Sequence, residues 1–283
     1  MRPPADDLAY AETAPPAPLA SAVAAIWSHG RRADAPGDGI VRILPDGSAD
    51  LVLGLARVGP PAAAPLALAH VWVVGAMTGA RLVHVGAYDA HVGVRLRPEA
   101  ARRVLDVAAH ALVDGSVPLA ELWPDAEGLL AALHRVHDLA AARAQVAAAL
   151  VPRLAPLAPP ADVAHAVHAI EASRGRVRVD EVSRALGRSR QHLARRFAQH
   201  VGVTPKMLAR IARLRALGAA LDVLERQGAR VRWSALAHVH GYADQPHLAD
   251  EVRALTGLTP TAWRRERRAG AVPFSQDAAA VRG

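Results

Sequence analysis

The chain has 283 residues, of which 52% are apolar, so it can form two ordinary domains with packed cores and is not a disordered chain. It has no cysteine, which excludes a disulfide framework, a thiolate metal site and a cysteine nucleophile. Its formal net charge is +8, and it lacks a secretion signal and any apolar stretch of roughly 18 residues, so we expect a bacterial cytoplasmic protein that contacts no membrane.

The first predicted region, residues 1–151, consists mainly of β-prone runs up to about residue 98. IVRILPDGSADLVLGL holds two such runs around Pro45-Asp46-Gly47, which predicts a hairpin because Pro fixes φ and Gly tolerates a left-handed conformation. Three more short runs follow, HVWVVGAM, ARLVHVGAY and HVGVRLRP, and Pro98 should open a helix through Leu105. We expect a β-rich sandwich or barrel followed by helices, within a two-domain α+β chain.

A ligand pocket is a second expectation for this region. Arginine suits a carboxylate or phosphate, whereas the alternation of side chains along a strand places some strand residues on the surface. The candidate lining residues are Arg42, Trp72, Arg95 and Arg97.

Catalytic and metal-binding sites are weakly supported by the residue pattern. His70, His84 and His91 lie in the β region, but they lack the spacing of a metal-ligand set. Nothing pairs the carboxylates of the following helical segment as acid and base, and no nucleophile elbow or phosphate-binding loop occurs. We therefore predict no catalytic residue, no metal ion and no cofactor.

Two segments follow before the C-terminal domain. Glu127 to Leu150 is an Ala- and Leu-rich stretch with helical character. The adjoining VPRLAPLAPP should interrupt it, because repeated prolines favour extended backbone, which puts a linker at residues 152–160. At the far end, residues 269–283 have little periodicity and are predicted to be a mobile tail.

The most informative segment is VDEVSRALGRSRQHLARRF, residues 179–197. Apolar residues at helical spacing are followed by Gly187, whose positive φ can end a helix, and by Ser189, whose hydroxyl can cap the next one. On that second helix Leu193 and Phe197 share a packing face, which leaves the opposite face free for a partner. This pattern predicts a helix-turn-helix unit whose DNA-contacting residues are Ser189, Arg190, Gln191, Ala194, Arg195 and Arg196.

An altered second unit occurs in WSALAHVHGYADQPHLADEV, residues 233–252. Gly241 can end its first helix, Asp244 can cap its second, and Leu248 with Val252 can pack. A carboxylate near phosphate is unfavourable unless it pairs with an arginine or accepts a proton from cytosine N4, so this unit should read fewer bases. Its predicted DNA-contacting residues are Gln245, Pro246, Asp250 and Arg253.

With these two units, residues 161–268 resemble the DNA-binding domain of the AraC/XylS family of transcription regulators. The resemblance includes a connecting helix, GVTPKMLARIARLRALGAAL. It implies an all-α domain in which a linker helix holds two helix-turn-helix subdomains over successive major grooves. The family's base-facing positions fall on Gln191, Ala194, Arg195, Gln245, Pro246 and Asp250.

Several of these positions depart from the family pattern. Ala194 is too short to form a side-chain hydrogen bond, Pro246 lacks a donor, Asp250 reverses the usual charge, and Val252 replaces an aromatic residue. The resemblance also extends to RILPDGSADLVL, GVRLRPEAARRVL and VPLAELW, which are similar to a β-rich domain that often precedes AraC-type modules. That similarity implies a sensor or dimerisation role and specifies no ligand.

Charge distribution agrees with a nucleic-acid partner. Residues 160–268 carry 20 basic and 10 acidic side chains, and the remainder carries 14 and 16. A basic domain beside a nearly neutral one is the electrostatic pattern of DNA binding.

These observations indicate a transcription regulator that binds double-stranded promoter or operator DNA. A small-molecule effector, a second copy of the chain and, for an activator, RNA polymerase are the further candidate partners. The main alternative is a ligand-binding or enzymatic β-barrel protein whose helical domain has lost sequence-specific DNA binding. A protein–protein adaptor is the third hypothesis.

Overall fold

The structure is a computed structural model that describes residues 10–30, 40–57, 66–84, 88, 90–133, 136, 138–154 and 159–268. The strands in these ranges are β1 (Ala11–Thr13), β2 (Val23–Gly30), β3 (Ile40–Ile43), β4 (Asp50–Arg57), β5 (Leu66–Val74), β6 (Arg81–His84), β7 (Ala90–Leu96) and β8 (Ser116–Pro118). Six of them form an antiparallel sheet in the order β1-β2-β7-β4-β5-β8, and β3 pairs with β6 in a two-stranded sheet.

One face of the large sheet carries the core of the N-terminal region. Leu51 and Leu53 alternate with outward residues along β4 and are 2% exposed, beside Val92 and Val94 of β7. On the opposite face, the backbone of Gly93 lies against the ring of Trp27. A Cβ at position 93 would lie 1.9 Å from Cε2 of Trp27. Only glycine therefore fits at position 93.

The hairpin predicted around Pro45-Asp46-Gly47 is wrong. The strands β3 and β4 flank this segment but belong to different sheets. Gly47 does have a positive φ of 85°, so the local turn chemistry was correct. The segment is held by a distant residue instead, because Asp46 Oδ2 lies 2.8 Å from Nε of the buried Arg95 on β7.

Helices follow the sheet: α1 (Ala101–Leu105), α2 (Leu119–Leu122), α3 (Ala126–Ala132) and α4 (Leu139–Leu154). The predicted helix at Pro98 is confirmed, with a 3-10 turn at Pro98–Ala100 leading into α1. The single helix expected over Glu127 to Leu150 is wrong, because α3 and α4 are separate. Core residues of α4 pack on the sheet.

The linker expected at residues 152–160 begins as helix. Pro152 lies inside the last turn of α4, and Leu154 is fully buried in the N-terminal core. Residues 155–158 and the expected mobile tail, residues 269–283, lie outside the described residues. The helical start has a simple cause: burial of Leu154 outweighs one backbone hydrogen bond lost at a proline near the helix end.

The C-terminal region is helical: α5 (Ala161–Ala172), α6 (Val179–Ala185), α7 (Arg190–His200), α8 (Pro205–Arg226), α9 (Trp233–Val239), α10 (Gln245–Thr256) and α11 (Pro260–Arg268). The linker helix α8 contributes to two cores. Leu208 packs in the first with α5, α6 and α7, whereas Leu214, Leu217 and Leu221 pack in the second with α9, α10 and α11. The expected arrangement of two subdomains on one linker helix is confirmed.

The N-terminal region packs against both subdomains. Ala76 belongs to the first helical core and Leu44 to the second. The backbone N–H of Ala80 also donates to the carbonyl of Leu255 at 2.8 Å. The sheet region therefore contacts the end of α10 directly.

Candidate nucleic-acid interface

The first helix-turn-helix unit is built by the local signals that its sequence contains. Gly187 has a φ of 62° between α6 and α7, a conformation that Gly adopts without strain. Ser189 is the N-cap of α7, where its side chain accepts a hydrogen bond from the His192 N–H at 3.1 Å. Both predictions for this turn are confirmed.

The helix α7 has one buried and one open face. Leu193 and Phe197 are 1% and 0% exposed and anchor the helix in the first core. The predicted DNA-contacting residues Ser189, Arg190, Gln191 and Arg195 are exposed, and Ala194 is half-buried among them. Arg195 forms no ion pair with any described residue. Its guanidinium is thus available to a partner.

The arginines beside this face differ in how firmly they are held. Arg196 donates two hydrogen bonds to the carboxylate of Asp162, at 3.1 and 3.0 Å, and these bonds lower the pKa of Asp162. Arg190 lies 3.3 Å from Asp180, but its side chain is 73% exposed, so this pair is weak. Arg196 consequently holds α7 against α5, a role that the sequence alone did not indicate.

A groove borders the exposed face of α7. It has a volume of about 710 Å³ and lies between α7 and the start of α5. Arg188, His192, Arg195 and Gln199 line it together with Asp162. Sequence reasoning did not single out His192 or Gln199, and helical spacing from Arg195 was the signal that could have found them.

The second unit has the predicted backbone. Gly241 has a φ of 75°, and Asp244 caps α10 by accepting a hydrogen bond from the His247 N–H at 2.7 Å. Leu248 and Val252 are fully buried, as expected. The open face carries Gln245, Pro246, Asp250 and Arg253, all of them exposed.

The charge of Asp250 has a local counterion. Its Oδ1 lies 3.4 Å from Nη1 of Arg253, and the two side chains are 77% and 57% exposed. The second unit is also tied to the linker helix, because Arg210 on α8 bonds Glu251 at 2.8 Å. The open face of α10 is therefore nearly neutral, whereas that of α7 is cationic.

The pocket expected in the β region does not assemble as predicted. Arg42 bonds α10 and α11, and Trp72 lies on the large sheet against His70 with ring centroids 5.7 Å apart. Only Arg95 and Arg97 of the four expected residues line a common cavity. Arg42 belongs to the two-stranded sheet, and Trp72 lies on β5, two strands away from β7, which a residue list taken from the sequence could not show.

Histidines of the large sheet do come together. His29 is paired with His91, and the ring of Tyr88 contacts both His91 and His70 at centroid distances of 5.6 and 4.3 Å. Burial chiefly lowers the pKa of His91 to about 4. In the part of the chain that the structure describes, no group of three or more His, Asp or Glu residues is arranged to hold a metal ion.

Comparison with protein families assigns the helical region. A helix-turn-helix family profile of the AraC type matches residues 182–266, from α6 to α11. The chain therefore carries an AraC-type helix-turn-helix domain in its helical region. This domain makes the chain a DNA-binding transcription regulator. A domain of unknown function, DUF6597, matches residues 11–118 of the N-terminal region. The β-rich N-terminal region followed by a helical C-terminal region is the expected two-part architecture.

Several solved structures match this chain at low sequence identity. The C-terminal domain of AraT, a response regulator from Geobacillus stearothermophilus, is 22% identical, with 38% of this chain and 87% of that chain covered and a TM-score of 0.34. A ToxT structure from Vibrio cholerae is 9% identical, with 91% and 98% covered and a TM-score of 0.43. A fatty-acid-bound ToxT structure is 8% identical, with 80% and 93% covered and a TM-score of 0.38.

These TM-scores are below 0.5, so they carry no conclusion about individual residues of the regulator. No curated protein matches the regulator. Within its described ranges, no helix is both long and apolar enough to cross a bilayer.

Proposed function

We propose that this AraC-family regulator reads its DNA site mainly through α7, with Gln191 and Arg195 contacting base edges. The main support is that the guanidinium of Arg195 is exposed and forms no ion pair with any described residue, on a helix whose opposite face is buried. In a major groove, Arg bonds guanine bidentately and Gln bonds adenine in the same way. Ala194 lies on the same side of α7, and its short side chain permits close approach.

The second unit contributes fewer base contacts in this proposal. Gln245 is exposed in the first turn of α10 and is its remaining polar reader. Pro246 offers no donor, and Asp250 is engaged with Arg253. This exposed pair is weak, like that of Arg190, so Arg253 only partly offsets the repulsion between the Asp250 carboxylate and a phosphate.

Backbone contacts supply the non-specific part of the affinity. Arg188 and Arg190 are exposed beside the reading face, which supports a role for them in contacting phosphates. Arg196 acts instead as a positioning residue through Asp162. The 20 basic against 10 acidic residues of this region make binding salt-sensitive.

The linker helix sets the spacing of the two units. The 22 residues of α8 span about 33 Å at ~1.5 Å per residue. Successive major grooves on one face of DNA are ~34 Å apart. In this proposal, a rigid linker helix lets one monomer dock α7 and α10 on the same face of the DNA.

We also propose that the N-terminal and C-terminal regions have different roles. Residues 1–151 sense a small-molecule effector or dimerise, and residues 161–268 bind the promoter. The regulator acts in the cytoplasm on chromosomal DNA, contacts RNA polymerase if it activates, and catalyses no reaction.

A band-shift titration tests this function. The full chain is titrated onto a duplex from its own upstream region, with a random duplex of equal length as competitor. We expect the upstream duplex to bind at least ~10³-fold more tightly at physiological salt. Equal affinity for the two duplexes would favour the alternative, a β-rich binding protein whose helical domain has lost sequence specificity.

A further inference from the structure

A cleft of about 640 Å³ lies where the large sheet meets both helical subdomains. Arg95, Arg97 and Ser48 line it from the sheet side. Glu171 and Arg174 line it at the end of α5, and His240 does so at the end of α9. Its volume is in the range of pockets that hold small molecules.

One wall of the cleft is apolar and made of small side chains. Ala212, Ala216, Ala219 and Val223 recur on one stripe of α8, and Ala220 lies beside them. Ala24 and Ala25 of the β2 strand line the opposite side. The short side chains leave room for an apolar body between α8 and the sheet.

The charges of the cleft are incompletely matched. Arg95 is bound by Glu12 and Asp46, and Arg215 lies 3.8 Å from Glu171. Arg97 and Arg174 form no ion pair with any described residue; Nε of Arg97 donates to the Ala20 carbonyl at 2.7 Å, and Arg174 is exposed at the rim. Two positive charges are thus left without a carboxylate partner.

Several buried polar atoms of the same cleft also lack partners. Ser48 Oγ, Arg215 Nε and His240 Nε2 are buried and have no hydrogen-bond partner among the described residues. His240 is 7% exposed, and burial, together with the nearby Arg174 and Arg176, lowers its pKa. Buried polar groups in native proteins are nearly always hydrogen-bonded, so these three atoms are available to a molecule bound in the cleft.

We infer that this cleft binds a small organic anion, with its head group held by Arg97 and Arg174 and its apolar body against the alanine stripe of α8. Both carboxylate and phosphate head groups match guanidinium donors. The occupant would contact the sheet, the end of α5, α8 and the end of α9 together. It would therefore act as the effector of the proposed regulator, and in that respect the inference rests on the proposed function.

Isothermal titration of the full chain, without DNA, tests the cleft. The probes are octanoate, octyl phosphate and the neutral octan-1-ol. We expect the two anions to bind at least ~10-fold more tightly than the alcohol, and the tighter anion identifies the preferred head group. The inference is overturned if no probe binds, or if octan-1-ol binds as well as the anions.

Variants locate the binding. Arg174→Gln should weaken anion binding at least ~10-fold, and Ala219→Leu, which fills the cleft, should do the same for both anions. Arg230→Gln, an exposed arginine outside the cleft, should bind like the wild type. Wild-type affinity in both Arg174→Gln and Ala219→Leu would place the anion elsewhere and contradict the inference.

A band shift without added ligand distinguishes failure of this inference from failure of the proposed function. Anion binding to a chain that shows no sequence-specific DNA binding would support the cleft and refute the proposed reader. Specific DNA binding by a chain that binds none of the probes would support the proposed reader and refute the cleft.

Discussion

Arg42 of the β3 strand and Glu266 of the last helix form an ion pair, with Nε and Oε1 2.9 Å apart. Nη1 of Arg42 also donates to the Thr256 carbonyl at 3.1 Å, at the C-terminal end of α10. Helix ends leave carbonyls without intrahelical partners, and a cation is favourable there. One side chain therefore joins the N-terminal sheet to both α10 and α11.

Removing this link should loosen the second unit. The Arg42 and Glu266 side chains are 18% and 23% exposed, so Arg42→Ala leaves a half-buried carboxylate without its partner. We expect a loss of about 1–3 kcal/mol in unfolding free energy and faster amide exchange at the end of α10. Denaturant unfolding with hydrogen exchange measures both. Arg230→Ala, at an exposed site, is the control, and equal stability of the two variants would contradict the link.

The cap of α10 should have a measurable effect of its own. Asp244 Oδ1 accepts from the His247 N–H at 2.7 Å. Asp244→Ala should lower the unfolding free energy by about 1 kcal/mol. Asp244→Ser should keep most of the stability of the wild type, because a hydroxyl can accept the same hydrogen bond. Chemical denaturation of the pair checks this. Identical losses in both variants would show that the cap bond does not stabilise the helix.

His91 should make the fold sensitive to acid. Its pKa falls from the ordinary 6.5 to about 4, mainly through burial, with His29 and His70 adding to the effect. Below about pH 6.5, His91 becomes protonated in the unfolded chain but stays neutral in the folded chain. The free energy of unfolding therefore falls as the pH drops towards 4. The slope reaches at most ~1.4 kcal/mol per pH unit.

Comparison with His91→Gln isolates this contribution. Urea unfolding is measured for both chains between about pH 7 and about pH 5. Asp50, whose pKa burial chiefly raises to about 6, acts in the opposite direction but is present in both chains. The wild type should lose more stability than the variant over this interval. Parallel losses would show that His91 titrates normally in the folded protein.

Asp250 should limit non-specific DNA binding. It is 77% exposed on the open face of α10, near the proposed DNA surface. Asp250→Arg should strengthen binding to random duplex. It should also steepen the slope of log K against log salt by an amount that corresponds to up to ~2 additional phosphate contacts. Glu121→Arg makes the same charge change on exposed α2 and is the control. Unchanged salt slopes for Asp250→Arg would place residue 250 away from the DNA.

Local signals predicted the helix-turn-helix units well. Gly187, Ser189, Gly241 and Asp244 act on backbone within three residues of themselves, so their effect could be predicted from the sequence without knowledge of the fold. The exposed faces of α7 and α10 followed from 3.6-residue periodicity.

Non-local contacts explain the failures. The segment at Asp46 is held by Arg95, a residue 49 positions away, and the flanking strands β3 and β4 pair in different sheets. The helix expected over Glu127 to Leu150 has the composition of a continuous helix, yet α3 ends at Ala132 and α4 begins at Leu139. Ion pairs such as Arg196 with Asp162 likewise join elements far apart in sequence. No periodic pattern indicates such pairings.

Competition binding of Arg195→Ala tests the central claim most directly. Affinities of wild type and variant are measured for the upstream duplex and for random duplex at one salt concentration, with Arg265→Ala, an exposed arginine on α11, as control. Loss of a bidentate base contact should weaken specific binding by about 1–3 kcal/mol and relax preference at one position, with a much smaller loss on random duplex. An equal loss on both duplexes would show that Arg195 contacts phosphate and reads no base.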